Sequence, residues 1–446
     1  MARYGGLPAV AGAGCVALLA GYLAGFPALC GAVVAVASRR SPAAALMLAP
    51  FAWTALEGLR GTAFGGFPWG DLPQALWRFG PALDLAPWVG IDGARLWVAA
   101  LASGVSWVLC RAGRRVPVAG WGVVPAVVAA AVPWLVGPPT LPAPTGRWSA
   151  AVVQGDIDQS QKWDPAYRKA TLDVYAALTR GVAGGAGAGS VDLVLWPETA
   201  VPLYVQEPGP ERARLERLAD ELHVALAFGA PAYKRVGRHL AYRNAVFLLE
   251  PGQGVTGRYD KVHLVPFGEY VPLGRYLPFL EKLAHGAGDF TPGEAVRPLR
   301  PRRGGPALGP LVCFELIFPR LAAAHARQGA QVLVVVTNDG WFGATPGPYQ
   351  HLAFGAWRAA ETGLPLVRAA NTGISAAFDR RGRLLRTAPL LARDAFAVEL
   401  PYGPAGSTPQ GRVRPWVAPL CGALVAGALF ANLLDSRGGP NRDRPR

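Results

Sequence analysis

The chain has 446 residues, of which 51% are hydrophobic, and it carries a formal net charge of +15 at neutral pH. Its mean hydropathy of +0.23 is high for a soluble protein and predicts that part of the chain lies in lipid. The positive charge is also typical of nucleic-acid-binding proteins, but no basic stripe interleaved with aromatic residues occurs, so we exclude nucleic acid as a partner. Attraction to anionic lipid headgroups explains the basic residues better.

Five apolar stretches are long enough, or nearly so, to span the hydrocarbon core of a membrane. They cover residues 7–36, 43–59, 91–110, 116–136 and 416–434. Buried core helices are the alternative interpretation, but an unbroken series of such stretches with Trp at their ends favours membrane spans. The first stretch lacks the basic start and cleavage pattern of a signal peptide, so we interpret it as a retained span.

The placement of arginine predicts the topology, because short basic flanks stay cytoplasmic. Such flanks are Arg39–Arg40, Arg111 with its neighbours at 114 and 115, and the tail 437–446. The sequence therefore predicts about four spans in residues 1–140, a globular domain over 148–402 and a last span over 415–435. The globular domain is expected on the outer, periplasmic face of a bacterial inner membrane, or outside the cell if there is one membrane.

Within the globular region, strand patterns alternate with helical ones. We predict strands at 148–154, 191–195, 224–228, 311–313 and 332–336, a hairpin of strands 244–250 and 255–259, and helices at 165–182, 211–223 and 319–328. Mixed strands with regularly interposed helices are typical of a layered α/β domain.

Polar residues gather just past the ends of these strands, where α/β folds place their chemistry. Glu198 follows residues 195–197 (Leu-Trp-Pro), Lys261 follows Tyr259 and Asp260, Cys313 ends its strand, and the pair Asn338–Asp339 follows the strand at 332–336. A carboxylate that takes a thiol proton, an ammonium that stabilises an oxyanion and a thiolate that attacks an acyl carbon form a coherent catalytic set.

The sequence allows two interpretations of Cys313. The four other cysteines lie in the apolar stretches, so Cys313 has no disulfide partner in the globular region, and a buried structural cysteine is the simpler interpretation. As a nucleophile it would gain from the helix predicted to follow it, because the positive end of a helix lowers the pKa of a thiol.

Four motifs connect these residues to a known family. Residues 196–200 (Trp-Pro-Glu-Thr-Ala), 259–272, 312–315 (Val-Cys-Phe-Glu) and 337–343 (Thr-Asn-Asp-Gly-Trp-Phe-Gly) together resemble the nitrilase superfamily. Residues 154–157, 162–164, 346–351, 57–60 and 66–69 are similar to a membrane-embedded branch of it, the apolipoprotein N-acyltransferases. The resemblance extends from about residue 16 to the last span.

The resemblance implies an α-β-β-α sandwich inserted between transmembrane helices. It implies Glu198 as general base, Lys261 as transition-state stabiliser and Cys313 as nucleophile. Glu269, Glu315 and Phe314 would be accessory catalytic or pocket residues, and Trp163 would contact substrate. No cofactor and no metal are expected.

The activity implied is a two-step acyl transfer. Cys313 would take a fatty acyl chain from a phospholipid, preferably phosphatidylethanolamine, as a thioester, and pass it to the α-amino group of a diacylglyceryl-modified N-terminal cysteine on an apolipoprotein. The partners expected are therefore the phospholipid donor, the lipoprotein acceptor and the membrane, and the protein is expected to be a monomer.

The chain departs from the family pattern in two places. Phe314 stands where the family usually has Tyr, so that hydroxyl is absent, although the backbone N–H of this residue can still serve an oxyanion hole. The family also has spans ahead of residue 7, and about three of these have no counterpart here.

Two other functions remain open from the sequence. A membrane-tethered amidase or nitrilase would use the same three residues with water as acceptor, and a scaffold would carry an inactive domain. The apolar loop 267–288 is expected to be a lid that dips into lipid, with packed core as the alternative.

Overall fold

The computed structural model describes residues 9–112, 123–158, 165–184, 191–271, 290–404 and 408–437. Trp163 and most of the apolar loop 267–288 lie outside the described residues. The chain divides into two compact units. The helical unit comprises Gly14–Pro139 and Pro409–Arg446, and the globular unit comprises Thr140–Thr408 with Met1–Ala13.

The helical unit begins with four helices: α1 (Ala9–Ser38), α2 (Pro42–Arg60), α3 (Gly80–Ala112) and α4 (Val123–Val136). Ser41 caps α2, because its hydroxyl accepts a hydrogen bond from the Ala44 N–H at 3.0 Å and Pro42 starts the helix without needing a donor. A further helix, Gln410–Arg437, completes the unit.

Four segments of the described helices are long and apolar enough to cross a membrane: Gly12–Ser38, Pro42–Arg60, Gly80–Ala112 and Gln410–Leu434. They overlap four of the five predicted spans. Helix α3 bends at Gly90, whose φ of +65° suits glycine, and the stretch predicted from residue 91 is the part after the bend. Of the remaining predicted stretch, 116–136, the structure describes helix α4, whereas residues 113–122 lie outside the described residues.

Buried ion pairs fix the polypeptide between α2 and α3. Arg60 pairs with Glu57 and donates to the carbonyl oxygens of Phe67 at 2.6 Å and Trp69 at 2.8 Å. Arg95 on α3 donates from Nε to Asp71 at 2.9 Å. Because a charge inside an apolar unit is costly unless it is paired, these residues hold the connecting segment firmly against the two helices.

The globular unit contains two β-sheets. The strands are β1 (Gly146–Gln154), β2 (Leu193–Leu195), β3 (Ala225–Val236), β4 (His239–Glu250), β5 (Gly254–Asp260), β6 (Leu308–Val312), β7 (Val332–Thr337), β8 (Leu366–Ala370), β9 (Ala376–Phe378), β10 (Leu384–Thr387) and β11 (Asp394–Tyr402). The first sheet has the order β11-β1-β2-β3-β4-β5, and the second has the order β10-β9-β8-β7-β6.

The two sheets face each other across an apolar core. Alternate residues of β1 point to opposite faces, so Ala150 and Val152 pack between the sheets with Val312 of β6, whereas Ala151 and Val153 pack on the other side. Helices α5 (Arg168–Ala183) and α6 (Pro210–Leu222) contribute to that outer core.

Helices α7 (Pro319–Arg327) and α8 (Gly347–Thr362) contact strands of the second sheet. The layers are therefore helix, sheet, sheet and helix, which confirms the predicted α-β-β-α fold.

The strands deviate from the sequence-based boundaries mainly where they leave the core. Strands β3 and β4 form one long hairpin around the two-residue turn at 237–238, where Gly237 has a φ of +60°. The prediction ended the first of them at Phe228, but the strand continues through residues 229–232, where Ala230 and Ala232 are buried in the core, and only residues 234–236 near the turn are exposed. Strands β8 to β11 were not predicted, since short apolar runs do not reveal their distant partners.

Candidate active site

Cys313 lies at the carboxyl end of β6, where the chain turns sharply. Strand β6 ends at Val312, and Cys313 opens a short 3-10 helix, Cys313–Ile317, with a φ of +51°. Positive φ is uncommon for a residue other than glycine and is retained where the surrounding structure enforces it. The turn therefore presents the thiol at the edge of the second sheet.

The expectation that a helix end would lower the pKa of Cys313 is wrong. Burial, and then the negative charge of Glu198, raise the pKa of this thiol to about 12. The α-helix α7 begins only at Pro319, after the 3-10 helix. At neutral pH Cys313 is therefore a thiol, and a reaction that used its sulfur as a nucleophile would need a base to take the proton.

Glu198 follows β2 and is held by two donors. Its Oε1 accepts a hydrogen bond from Asn244 Nδ2 at 2.7 Å, and its Oε2 accepts one from the backbone N–H of Asn338 at 3.0 Å. Its Oε1 also lies 3.9 Å from Lys261 Nζ. Glu198 is only 8% exposed, so these contacts fix the direction of a nearly water-free carboxylate.

Lys261 follows β5 and is 1% exposed. Its Nζ lies 2.9 Å from Oε1 and 2.8 Å from Oε2 of Glu269. Burial favours the neutral amine, but the charges of Glu269 and Glu198 outweigh it and raise the pKa of Lys261 above its ordinary value. Lys261 is thus a permanent, buried positive charge.

Asn244 is the residue that sequence reasoning missed. Its Nδ2 donates both to Glu198 and to Glu269 Oε1, the latter at 2.9 Å, and its backbone oxygen accepts from the Lys261 N–H at 2.8 Å. The Asn244 amide therefore keeps the carboxylates of Glu198 and Glu269 apart, next to the Lys261 ammonium. The available signal was a single asparagine at the start of the apolar run of β4.

Glu315 acts as a link between the two sheets. Its carboxylate accepts hydrogen bonds from the Tyr259 hydroxyl at 3.1 Å and from the backbone N–H groups of Val262 at 2.7 Å, His263 at 3.1 Å and Val312 at 2.9 Å. Burial raises its pKa to about 7 although these donors oppose the shift. Glu315 therefore joins the segment that carries Lys261 to the strand that carries Cys313.

The Phe314 ring lies in an aromatic cluster. It stacks on His263 with a ring separation of 5.8 Å and meets Phe318 edge-on at 5.1 Å. Phe314 is 9% exposed, so its ring packs beside the turn at Cys313. Among the residues that the structure describes, no three His, Cys, Asp or Glu side chains are grouped to hold a metal ion.

The sandwich with Glu, Lys and Cys at one edge defines the class of protein. A family model described as carbon-nitrogen hydrolase matches residues 149–410, which is more than half of the chain, so the globular unit is a carbon-nitrogen hydrolase domain. A second model, described as the apolipoprotein N-acyltransferase N-terminal domain, matches residues 1–104.

Comparison with individual relatives identifies the family within this class. The chain is 39% identical to the apolipoprotein N-acyltransferase of Geobacter metallireducens, over 96% of this chain and 82% of that protein. It is 36% identical to that of Methylococcus capsulatus, over 97% of this chain and 83% of that one. A solved structure, Nit3 of Saccharomyces cerevisiae, aligns with 19% identity and a TM-score of 0.44 over 58% of this chain and 91% of its own. The chain belongs to the apolipoprotein N-acyltransferase family.

Proposed function

We propose that this protein transfers a fatty acyl chain from a phospholipid to the α-amino group of the N-terminal diacylglyceryl-cysteine of an apolipoprotein, through a thioester on Cys313. One observation carries the proposal. The same edge of the sandwich holds a thiol, a fixed carboxylate and a permanent ammonium, and the charges of Glu198 and Lys261 both act on the pKa of Cys313. Family membership supports the substrates.

In the first step, Cys313 Sγ attacks the carbonyl carbon of a phospholipid ester. Glu198 takes the thiol proton as the S–C bond forms, because a thiol with a pKa of about 12 does not ionise on its own at neutral pH. The carbonyl electron pair moves to oxygen, and Lys261 stabilises this oxyanion. Its collapse breaks the ester bond, and the departing lysophospholipid oxygen receives the proton from Glu198.

In the second step, the α-amino group of the acceptor attacks the thioester carbon. Glu198 takes a proton from the nitrogen as the C–N bond forms, and collapse of the oxyanion expels the Cys313 thiolate, which recovers that proton. A thioester is activated enough for an amine to open, and the amide product is stable, so this half proceeds downhill. The scheme uses no metal or cofactor.

Glu269, Asn244 and Glu315 have supporting roles in this scheme. Glu269 keeps Lys261 charged, Asn244 separates the two carboxylates, and Glu315 fixes the segments on either side of the site. Trp163 is proposed to contact substrate and Phe314 to pack beside the nucleophile.

The proposed setting is a bacterial inner membrane with the globular unit on its periplasmic face. The four apolar helices and the basic residues at 39, 40 and 111 support it. Phosphatidylethanolamine is the proposed donor, and a monomer is the proposed form. The proposed domains are spans within 1–140, the catalytic domain over 148–402 and the span within 415–435.

Mass spectrometry of the full chain in detergent tests the proposal. After incubation with phosphatidylethanolamine, we expect an acyl-sized mass increase on Cys313, which disappears when a lipopeptide with a free diacylglyceryl-cysteine amine is added and gains the same acyl group. Cys313→Ala should form no adduct, whereas Cys110→Ala, the matched control, should behave like the parent protein. An adduct that hydrolyses without transfer would instead identify a membrane-tethered hydrolase.

A further inference from the structure

The backbone of the turn at Cys313 makes a contact that the acyl-transfer scheme does not use. The carbonyl oxygen of Cys313 lies 3.2 Å from His351 Nε2. A carbonyl oxygen only accepts hydrogen bonds, so Nε2 is the donor. His351 lies on α8 and is 1% exposed, which means that the ring contacts Cys313 from the protein interior and not from solvent.

The His351 ring is itself fixed on its other side. Its Nδ1 lies 2.8 Å from Asp339 Oδ1 and 3.1 Å from Arg368 Nη2, which donates to Nδ1 when the ring proton is on Nε2. Asp339 Oδ1 also accepts from the Thr337 hydroxyl at 3.0 Å. Asp339 Oδ2 accepts from Arg368 Nη2 at 2.5 Å. Asp339 and His351 are 1% exposed, and Thr337 and Arg368 are 0% exposed. Three buried side chains, those of Thr337, Asp339 and Arg368, thus hold the His351 imidazole in one orientation.

The geometry of the peptide bond carries this constraint to the next residue. The Cys313 carbonyl and the Phe314 N–H belong to one planar trans peptide and point in opposite directions. When His351 holds the carbonyl toward the interior, the Phe314 N–H points the opposite way. That N–H is the backbone donor next to the nucleophile, which is where an oxyanion donor is needed.

We propose that His351 is a positioning residue that aims the Phe314 N–H at the oxyanion, by donating from Nε2 to the Cys313 carbonyl. The inference rests on the proposed function, because it takes Cys313 as the nucleophile. The sulfur is attached to the Cys313 Cα, outside this peptide plane, so rotation of the plane leaves the thiol nearly in place. Loss of the His351 contact therefore damages steps that pass through an oxyanion and spares those that do not.

The test compares two reactions of Cys313 in three variants of the full chain in detergent. Iodoacetamide alkylates the sulfur by direct displacement and forms no oxyanion, whereas acylation by phosphatidylethanolamine forms one. His351→Gln retains an amide donor near the Nε2 position, His351→Asn retains one near the Nδ1 position, and His351→Leu retains neither. Mass spectrometry measures both rates, and thermal unfolding reports the folded fraction.

We expect His351→Leu and His351→Asn to lower the kcat of acyl transfer by about 100-fold, the usual effect of losing one oxyanion donor, with little change in KM. Their alkylation rates should stay within about threefold, and His351→Gln should recover most of the acylation. Equal losses in both reactions, or an Asn variant as active as the Gln variant, overturn the inference. Parent protein that forms no acyl adduct overturns the proposed function and this inference with it.

If His351→Leu does not fold, the Gln and Asn variants still decide the outcome, because each retains a polar side chain in the buried network.

Discussion

The two sheets of the globular unit contribute different halves of the site. The first sheet supplies the charged groups Glu198 after β2 and Lys261 after β5, and the amide of Asn244 in β4. The second sheet supplies Cys313 after β6 and the buried network around His351. In the proposed scheme, proton transfer and charge stabilisation thus depend on one sheet, and the geometry of the nucleophile depends on the other.

This division explains why the thiol is not activated in advance. A cysteine set beside a cation alone would have a lowered pKa, but here burial and Glu198 raise it, and Lys261 offsets only part of the increase. In the proposed scheme, Glu198 from the first sheet therefore activates the Cys313 thiol of the second sheet during the reaction. Each of the following substitutions alters one side of the division.

The largest effect is expected from Glu198→Gln, which removes the base from the first sheet. Acyl transfer should fall by about 1,000-fold, because no group takes the thiol proton. The pKa of Cys313 should fall at the same time, since the negative charge of Glu198 is one cause of its increase. The pH profile of iodoacetamide alkylation checks this, and its rise should move to lower pH.

Glu207→Gln is the control for that experiment, because Glu207 is an exposed carboxylate that accepts a hydrogen bond from the Tyr233 hydroxyl. It should leave transfer and alkylation unchanged. An alkylation profile that stays in place, or moves to higher pH, in Glu198→Gln would mean that the two sheets are not coupled through this charge.

A smaller effect is expected from Asn244→Asp, which replaces the spacer of the first sheet by a third carboxylate. The new charge lies beside the carboxylates of Glu198 and Glu269, and repulsion among three like charges favours uptake of a proton by this cluster, so less base is available at neutral pH. Transfer at pH 7 should fall by about 100-fold and recover partly as the pH increases. The acidic limb of the pH–rate profile measures this change.

Asn244→Ala removes the same donor without adding charge. It therefore distinguishes the effect of losing the Asn244 hydrogen bonds from the effect of a third negative charge. It should lower the rate without moving the acidic limb upward. If both variants share one pH profile, Asn244 acts by packing alone.

The smallest effect on transfer is expected from Glu315→Gln, which weakens the link between the sheets. At pH 8, above the pKa of about 7, the carboxylate is ionised, and the amide that replaces it turns its own donors toward N–H groups. We expect the free energy of unfolding to fall by about 2 kcal/mol. Thermal unfolding of the full chain at pH 8 checks this.

Glu399→Gln provides the matched comparison, because Glu399 pairs with Arg147 on an exposed surface. It should leave the free energy of unfolding almost unchanged, because an exposed ion pair contributes little to stability. A loss of stability in Glu315→Gln no greater than in this variant would show that the two sheets do not depend on Glu315.

Much of the site was predictable from local sequence. Glu198 and Cys313 each stand at the end of an apolar run, Lys261 follows a predicted strand, and a polar residue at a strand end is a strong local signal. The sandwich was predicted from the resemblance of its motifs to a known family, and four predicted spans correspond to apolar helices. The layered α/β domain and the spans depend on composition and periodicity within a few residues, which a linear pattern records.

The contacts that tune the site were decided by tertiary structure. Asn244 meets Glu198 and Glu269, which are 46 and 25 residues away, and His351 reaches Cys313 from 38 residues further along the chain. The raised pKa of Cys313 depends on burial and on a charge from the other sheet. The prediction made from the helix that follows Cys313 in sequence was therefore wrong. Sequence determined which chemical groups are present and at which strand ends they stand, whereas the packing of two sheets decided which of them meet, because electrostatic and hydrogen-bonding partners are set by distance in space.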